Sequence, residues 1–121
     1  MNYFFDSYAI IELNNGTNPS YKRFQDFEIV TSVLNLGEIY SLILRNHGKN
    51  SADEWFANSN FKLLEIKPEI ILESVYFRFI NKKKNLSLVD CVGYILSLKN
   101  HLKFLTGDRQ FEKLPNVGFV K

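Results

Sequence analysis

Short apolar runs alternate with longer amphipathic segments along this chain. The runs are aromatic or β-branched and only a few residues long, which is typical of buried strands. We predict five strands, over residues 2–5, 28–32, 61–66, 102–106 and 117–120. Between them, apolar residues recur every three or four positions, as on one face of a helix. We predict helices over 7–13, 21–26, 36–47, 51–55, 68–80 and 88–99.

This alternation determines the predicted fold class. Parallel strands need crossover connections, and amphipathic helices between apolar strands supply them. We therefore expect an α/β fold, a three-layer α/β/α sandwich with a central, mostly parallel sheet of four to five short strands. The chain shows no internal repeat, low-complexity segment or Pro/Gly/Ser linker, so residues 1–121 are expected to form a single domain.

Composition narrows the class of protein. Hydrophobic residues make up 45% and charged residues 23%, as in ordinary globular domains. Cys91 is the single cysteine, so no internal disulfide can form, and with two histidines it cannot build a four-ligand zinc site. No segment approaches the length of a membrane helix, and no leader peptide is recognisable. We expect a cytoplasmic protein that does not cross a membrane. A net charge of +2 neither supports nor excludes nucleic acid.

Four acidic residues fall at the ends of predicted strands or in the first turns of predicted helices. Asp6 and Asp108 follow strands, and Glu38 and Asp90 are expected in the first turns of helices. In an open parallel sheet, sites form beyond the carboxyl ends of the strands, so these positions are the informative ones.

Each acid also has a purely structural explanation. Asn35-x-x-Glu38 and Ser87-x-x-Asp90 both have the spacing of a helix capping box. Ser51-x-x-Glu54 has the same spacing, and we assign it no chemistry. Similarly, Asp6 is able to cap the helix after it, and Asp108 is able to close an Asx turn at Gly107. Taken singly, each position favours structure over function.

Taken together, the four acids favour a metal site. If one sheet edge gathers them, each like-charged pair costs about 4 kcal/mol at about 4 Å and an effective dielectric of about 20. A divalent cation relieves this repulsion, and hard oxygen ligands favour Mg²⁺ or Mn²⁺. Clustered carboxylates with such ions most often catalyse phosphoryl chemistry.

Four segments, in order and in spacing, resemble one known family. They are YFFDSYAIIE (3–12), TSVLNLGEIY (31–40), LSLVDCVGYILSLKN (86–100) and HLKFLTGDRQFEKL (101–114). They contain an opening strand with Asp then Ser, a segment with Glu, an Asp-bearing helix, and a strand ending in Thr-x-Asp. This arrangement resembles the PIN-domain nucleases, and within them the small single-domain VapC-type toxins.

The resemblance implies a metal-dependent endoribonuclease that hydrolyses RNA phosphodiester bonds. The residues implied to be catalytic and to bind one or two Mg²⁺ or Mn²⁺ ions are Asp6, Glu38, Asp90 and Asp108. Ser7 and Thr106 would orient a carboxylate or a metal-bound water. Arg109 either contacts the scissile phosphate or pairs with an acid at the surface.

The resemblance further implies the toxin of a type II toxin–antitoxin pair, with an antitoxin partner and a homodimeric state. Two alternatives stay open: a catalytically silent PIN-like module that binds RNA or protein, and a metal-dependent enzyme acting on DNA or small phosphates. An exposed residue among Trp55, Tyr76 and Phe77 would indicate self-association. The basic run 82–84 could meet an RNA backbone, but it also suits a helix C-terminus, and we favour a solvated run there.

Overall fold

The sheet at the centre of the molecule is five-stranded and wholly parallel. The computed structural model describes residues 2–121 and orders the strands β3-β2-β1-β4-β5. They are β1 (Tyr3–Phe5), β2 (Ile29–Thr31), β3 (Phe61–Leu63), β4 (Lys103–Thr106) and β5 (Val117–Phe119). The predicted sheet is confirmed, although β3 ends at Leu63, three residues earlier than expected.

Pairing of the strands aligns their carboxyl ends. Phe4 of β1 pairs with Val30 of β2 on one side and with Phe104 of β4 on the other. Because these strands run in one direction, the residues after Phe5, Thr31 and Thr106 all emerge at the same edge, which we call the carboxyl edge.

Helices cover both faces of the sheet, as the predicted sandwich requires. They are α1 (Ser7–Asn15), α2 (Val33–His47), α3 (Lys49–Ala57), α4 (Pro68–Ile80) and α5 (Leu88–Lys99), with 3₁₀ turns at Pro19–Phe24 and Arg109–Phe111. None of the helices within residues 2–121 is long and apolar enough to cross a membrane.

Strand alternation divides the core into two clusters. Phe4 and Phe104 point to the face covered by α4 and α5, and pack with Val92. Phe5 and Leu105, one residue further along each strand, point to the opposite face, which α1 and α2 cover. This period of two explains how three-residue strands support two separate apolar layers.

Two glycines allow close packing near the carboxyl edge. A Cβ at Gly93 would lie 2.9 Å from the Phe4 ring, so Gly93 lets α5 approach the sheet closely. A Cβ at Gly107 would lie 2.2 Å from the Tyr8 ring and 2.6 Å from the Val120 carbonyl oxygen. Gly107, between Thr106 and Asp108, is therefore required by lack of space.

One predicted capping box is wrong. Helix α3 begins at Lys49, and its N-cap is Gly48, which makes no side-chain capping bond. Ser51 therefore lies inside the helix. The helix starts earlier than the Ser51-x-x-Glu54 spacing suggested because α2 ends at His47, and Gly48, with φ of 89°, turns the chain directly into α3.

Candidate active site

Asp6 joins β1 to α1 and is buried at the carboxyl edge. Its Oδ1 accepts a hydrogen bond of 2.8 Å from the Ala9 backbone N–H, which caps α1 as expected. Only 4% of the residue is exposed. Asp6 therefore has the structural role foreseen for it, and it also brings a carboxylate into the interior.

Burial makes this carboxylate difficult to ionise. The pKa of Asp6 is raised to about 7, mainly by desolvation and further by the charges of Asp90 and Asp108, while the Thr106 side chain and the Ala9 N–H oppose the shift. Within residues 2–121, no Lys or Arg forms an ion pair with Asp6. The negative charge thus lacks a protein counterion at this position.

Thr106 and Asp108 lie beside Asp6. Thr106 is fully buried at the end of β4, its side chain lowers the pKa of Asp6, and its Oγ1 accepts the Asp108 backbone N–H at 3.0 Å. Asp108 Oδ1 accepts the Gln110 N–H at 2.9 Å. This is the expected Asx turn, placed after Gly107 and opening the 3₁₀ turn. The Thr106 hydroxyl therefore fixes the start of this turn and lies in the electrostatic surroundings of Asp6.

Glu38 lies one turn further into its helix than expected. Helix α2 begins at Val33, and Ser32 is its N-cap, with Ser32 Oγ accepting the Asn35 N–H at 3.3 Å. Both the capping role of Asn35 and the first-turn position of Glu38 are therefore wrong. The serine directly after β2 takes the cap, because a hydroxyl in extended backbone is well placed to bond the N–H three residues on.

A buried hydrogen-bond chain holds Glu38 instead. Ser32 Oγ donates to Asn35 Oδ1 at 2.6 Å, Asn35 Nδ2 donates to Ser7 Oγ at 3.0 Å, and Ser7 Oγ donates to Glu38 Oε1 at 2.6 Å. Asn35 is only 2% exposed. Sequence reasoning overlooked Ser32 and Asn35 as supports of the site. The one sequence feature that could have indicated them is the spacing of two polar residues, Ser32 and Asn35, three positions apart after a strand. The same spacing is common in ordinary helix caps.

The electrostatic setting of Glu38 resembles that of Asp6. Desolvation raises the pKa of Glu38, the hydrogen bond from Ser7 opposes the shift, and the charge of Asp90 adds to it. The described residues provide Glu38 with no Lys or Arg ion pair. Ser7 therefore favours the charged carboxylate in a place where burial disfavours it.

Asp90 completes the capping box of α5, as the sequence predicted. Ser87 Oγ accepts the Asp90 N–H at 3.0 Å, and Asp90 Oδ2 accepts the Ser87 N–H at 3.0 Å. Desolvation raises the pKa of Asp90; the two bonds with Ser87 oppose this, and the charge of Asp108 adds to it. Asp90 thus caps α5 although its surroundings disfavour the charged form of its carboxylate.

Arg109 is exposed beside the site. Its Nη1 lies 3.7 Å from Glu112 Oε1, in an (i, i+3) pair with both side chains largely solvated. The surface pairing foreseen for Arg109 is therefore present but long. Contact with a phosphate stays a prediction.

The four acids share one edge and influence one another electrostatically. The charges of Asp90 and Asp108 raise the pKa of Asp6, and the charge of Asp90 raises the pKa of Glu38. In the part of the chain that the structure describes, however, no three Asp, Glu, His or Cys side chains are close enough to hold one ion together. The donor chemistry fits Mg²⁺ or Mn²⁺, because these ions take carboxylate oxygens, and Mg²⁺ keeps several waters and needs only one or two protein carboxylates.

Comparison with known proteins agrees with this architecture. The PIN-domain profile matches residues 3–117. The sarcin-ricin-loop-cleaving toxin VapC20 of Mycobacterium tuberculosis has a similar structure, with a TM-score of 0.76, 19% identity, and coverage of 98% of this chain and 96% of that one.

A chain of a toxin–antitoxin complex from Klebsiella pneumoniae is similar as well. Its TM-score is 0.73 at 20% identity, again over 98% of this chain and 96% of that one. No curated protein matches the sequence significantly. The two structures show a shared fold, and the profile covers β1 to β4, the first residue of β5 and all four acids. This chain belongs to the PIN-domain family.

Proposed function

We propose that this protein is a metal-dependent endoribonuclease. The observation behind the proposal is the carboxyl edge, where burial raises the pKa of Asp6, Glu38 and Asp90 and the described residues supply no Lys or Arg partner. A fold that needed only caps and turns would place these acids in water. An external cation explains why the cost of burying them is tolerated.

The residues proposed to hold one or two Mg²⁺ or Mn²⁺ ions are Asp6, Glu38, Asp90 and Asp108. When bound, such ions lower the pKa of a ligated water and neutralise charge on a phosphate under in-line attack. The protein's own part is to orient the carboxylates. Ser7 donates a hydrogen bond to Glu38, and Thr106 accepts the Asp108 backbone N–H and lowers the pKa of Asp6.

The proposed substrate is RNA, and the proposed partner is an antitoxin. Both rest on membership of the PIN-domain family, with the two structural neighbours as support: one cleaves the sarcin-ricin loop and the other is part of a toxin–antitoxin complex. An RNA target and a single buried thiol suit the cytoplasm, where we expect the protein to act.

We also propose a homodimer formed through one face of α4. Leu72, Tyr76 and Ile80 follow one another at steps of four and are 70%, 65% and 57% exposed. This is an apolar stripe that a monomer would leave in water. Of the three aromatic residues considered from the sequence, Tyr76 is the exposed one, while Trp55 and Phe77 pack against the core clusters.

Cleavage of RNA tests the proposal. Purified protein would be incubated with single-stranded, hairpin and transfer RNAs in Mn²⁺ or Mg²⁺, with a chelator and Asp90→Asn as controls. We expect cleavage that both controls abolish. Equal cleavage by the Asp90→Asn variant would contradict the proposal.

A catalytically silent PIN-like binding module is the second candidate. The observation that favours it is the separation of the carboxyl groups, since the described residues contain no ready three-ligand set. Folded protein that binds RNA or Mn²⁺ but cleaves neither RNA nor DNA would support this candidate. Cleavage of DNA alone would instead indicate a DNA nuclease.

A further inference from the structure

A basic cleft lies between the end of α4 and the start of α5. Its volume is about 440 Å³. Arg78, Lys82 and Lys84 supply its charge, and Val75, Phe79 and Leu88 supply apolar walls. We call it the α4–α5 cleft. Two lysines of the basic run 82–84, Lys82 and Lys84, thus form part of one wall of a concave surface.

The cations of this cleft are set apart by their clustering. Among residues 2–121, neither Arg78 nor any of the lysines 82–84 takes part in an ion pair. Most other Lys and Arg residues of the described chain are unpaired too, Lys62 and Lys103 among them, but they are less densely clustered along the sequence. Four cations in seven residues thus create a local positive field that the protein itself does not neutralise.

Arg78 is held in a fixed orientation. Its Nε donates to the Leu86 carbonyl oxygen at 2.8 Å, which ties the end of α4 to the segment before α5. The bond uses one edge of the guanidinium group. The two terminal nitrogens then extend from an anchored side chain, an arrangement suited to a phosphate because little conformational freedom is lost on binding.

The α4–α5 cleft borders the carboxyl edge. Leu88, in its wall, belongs to the first turn of α5, the turn that bears Asp90. Asn85, also in the wall, donates its backbone N–H to Gln110 Oε1 at 3.4 Å, and Gln110 in turn bonds Asp108. A polyanion at Asp90 therefore has a short, favourable path into the cleft.

We propose that the α4–α5 cleft binds the backbone of single-stranded RNA on one side of the bond to be cut. This inference rests on the proposed nuclease function and gives that site a substrate-binding surface. Arg78, Lys82 and Lys84 contact phosphates. Phe79, 63% exposed with Lys82 Nζ 5.3 Å from its ring centre, offers a face on which a base stacks.

Charge favours RNA over a second copy of the chain in this cleft. A twofold dimer joined there would bring Arg78, Lys82 and Lys84 of one copy close to the same three cations of the other, and they would repel one another. The stripe of Leu72, Tyr76 and Ile80 contains no cation and borders the cleft residues Val75 and Phe79 on α4. Lys82 and Lys84 lie beyond the end of α4, so their substitution tests the cleft without altering the stripe.

The test measures binding of a short, fluorescent, mixed-sequence single-stranded RNA at several salt concentrations. All proteins carry Asp90→Asn, so that cleavage cannot change the probe. The cleft variant is Lys82→Gln with Lys84→Gln. The matched control is Lys62→Gln with Lys103→Gln, which removes two exposed lysines from β3 and from the start of β4.

We expect the cleft variant to bind about tenfold more weakly at physiological salt. We also expect the slope of log affinity against log salt to become shallower by about 1.4, since each phosphate contact on a single strand contributes about 0.7. The control should keep the parental slope. A third variant, Phe79→Leu, should weaken binding about fivefold with an unchanged slope, because stacking involves no counterion release.

Equal affinity and slope in the cleft and control variants would overturn the inference. Unchanged RNA binding together with an altered molecular mass of the cleft variant, by light scattering, would also overturn it and assign the cleft to a protein partner. Cleavage by the protein with native Asp90 is measured in parallel. If it cleaves RNA while the cleft variant binds normally, the nuclease proposal stands and only the cleft assignment fails.

Discussion

The protein handles acidic side chains in two opposite ways. On the surface between α2 and α3, Asp53 accepts hydrogen bonds from Lys49, at 2.6 Å, and from Tyr40, and these bonds hold its pKa below the usual value. At the carboxyl edge, burial raises the pKa of Asp6, Glu38 and Asp90, and the described residues form no ion pair with them. The same residue types are made easy to ionise in one place and difficult in the other.

Asp53 shows the arrangement of an acid that serves local stability alone, and the acids of the carboxyl edge depart from it. Asp53 stands in water with a cation on the same helix, an arrangement that contributes little and costs little. The acids of the carboxyl edge are tolerated at a cost, although Asn in place of Asp6 would cap α1 as well. Charge kept where a neutral side chain would suffice is what the proposed metal function explains, and a cation that keeps several waters needs only one or two of these carboxylates.

The largest expected effect is on catalysis. Asp90→Asn keeps the shape of the α5 cap but removes a charge from the carboxyl edge, so we expect RNA cleavage to fall by about 10³-fold, as when a group essential to transition-state charge is lost. Asp53→Asn is the matched control, and its cleavage rate should equal that of the native chain. A similar loss in both variants would remove the distinction between the two regions.

A smaller effect is expected on pH-dependent stability without metal. Because the folded-state pKa of Asp6, about 7, exceeds its ordinary value of 3.8, its stabilising contribution is complete below about pH 4 and is lost as the pH rises through 7. The full difference corresponds to about 4 kcal/mol. Denaturant unfolding from pH 4 to 8 in chelator should show this decline, and Asp6→Asn should flatten it.

Metal should reverse that decline in the native chain alone. Adding Mn²⁺ at pH 8 should raise the free energy of unfolding of the native protein, because binding to the folded state stabilises it. It should leave Asp6→Asn nearly unchanged. A native stability curve that is flat in chelator would show that Asp6 is not strained by burial.

The hydrogen-bond chain to Glu38 should tune metal affinity by an intermediate amount. Ser7→Ala removes the donor to Glu38, and we expect Mn²⁺ affinity, by calorimetry, to fall about 10- to 100-fold. Ser7→Thr should restore it. Ser59→Ala, which removes a hydroxyl bonded to the Trp55 carbonyl oxygen, is the control. An unchanged Mn²⁺ affinity in Ser7→Ala would show that the hydrogen-bond chain to Glu38 serves folding alone.

The smallest effect should come from the surface pair. Lys49→Met breaks the contact between Lys49 and Asp53, two side chains that are 74% and 49% exposed. Because the pair is solvated, we expect no measurable change in thermal midpoint or in Mn²⁺ affinity. A clear loss of Mn²⁺ affinity would show that this pair and the carboxyl edge are not independent.

The sequence predicted the sheet and helices well because their periodicities are strong. Alternation through Phe4–Phe5 and Phe104–Leu105 supplies both core layers, and the Ser87-x-x-Asp90 cap formed as its spacing indicates. Helix starts were less certain, since Ser32 and Gly48 competed with Asn35 and Ser51 for the role of cap. Local spacing does not show which of two neighbouring polar residues meets the free N–H groups.

Only part of the candidate site could be predicted from the sequence. All four acids could be chosen because they lie at predicted strand ends or near the starts of predicted helices, and the fold brings them to one edge. The supporting role of Asn35 could not be foreseen, because it depends on contact between the first turns of α1 and α2, made by residues 28 positions apart. Pairing of cations with acids likewise depends on folded distances, so the free charge of the α4–α5 cleft emerged only in three dimensions.

The most direct test of the central claim is a map of Mn²⁺ by anomalous scattering from crystals grown or soaked with the ion. The account predicts one or two peaks at the carboxyl edge, about 2.1 Å from carboxylate oxygens drawn from Asp6, Glu38, Asp90 and Asp108. Ordered carboxylates at that edge with no Mn²⁺ peak beside them, at Mn²⁺ concentrations that saturate any cleavage, would contradict it.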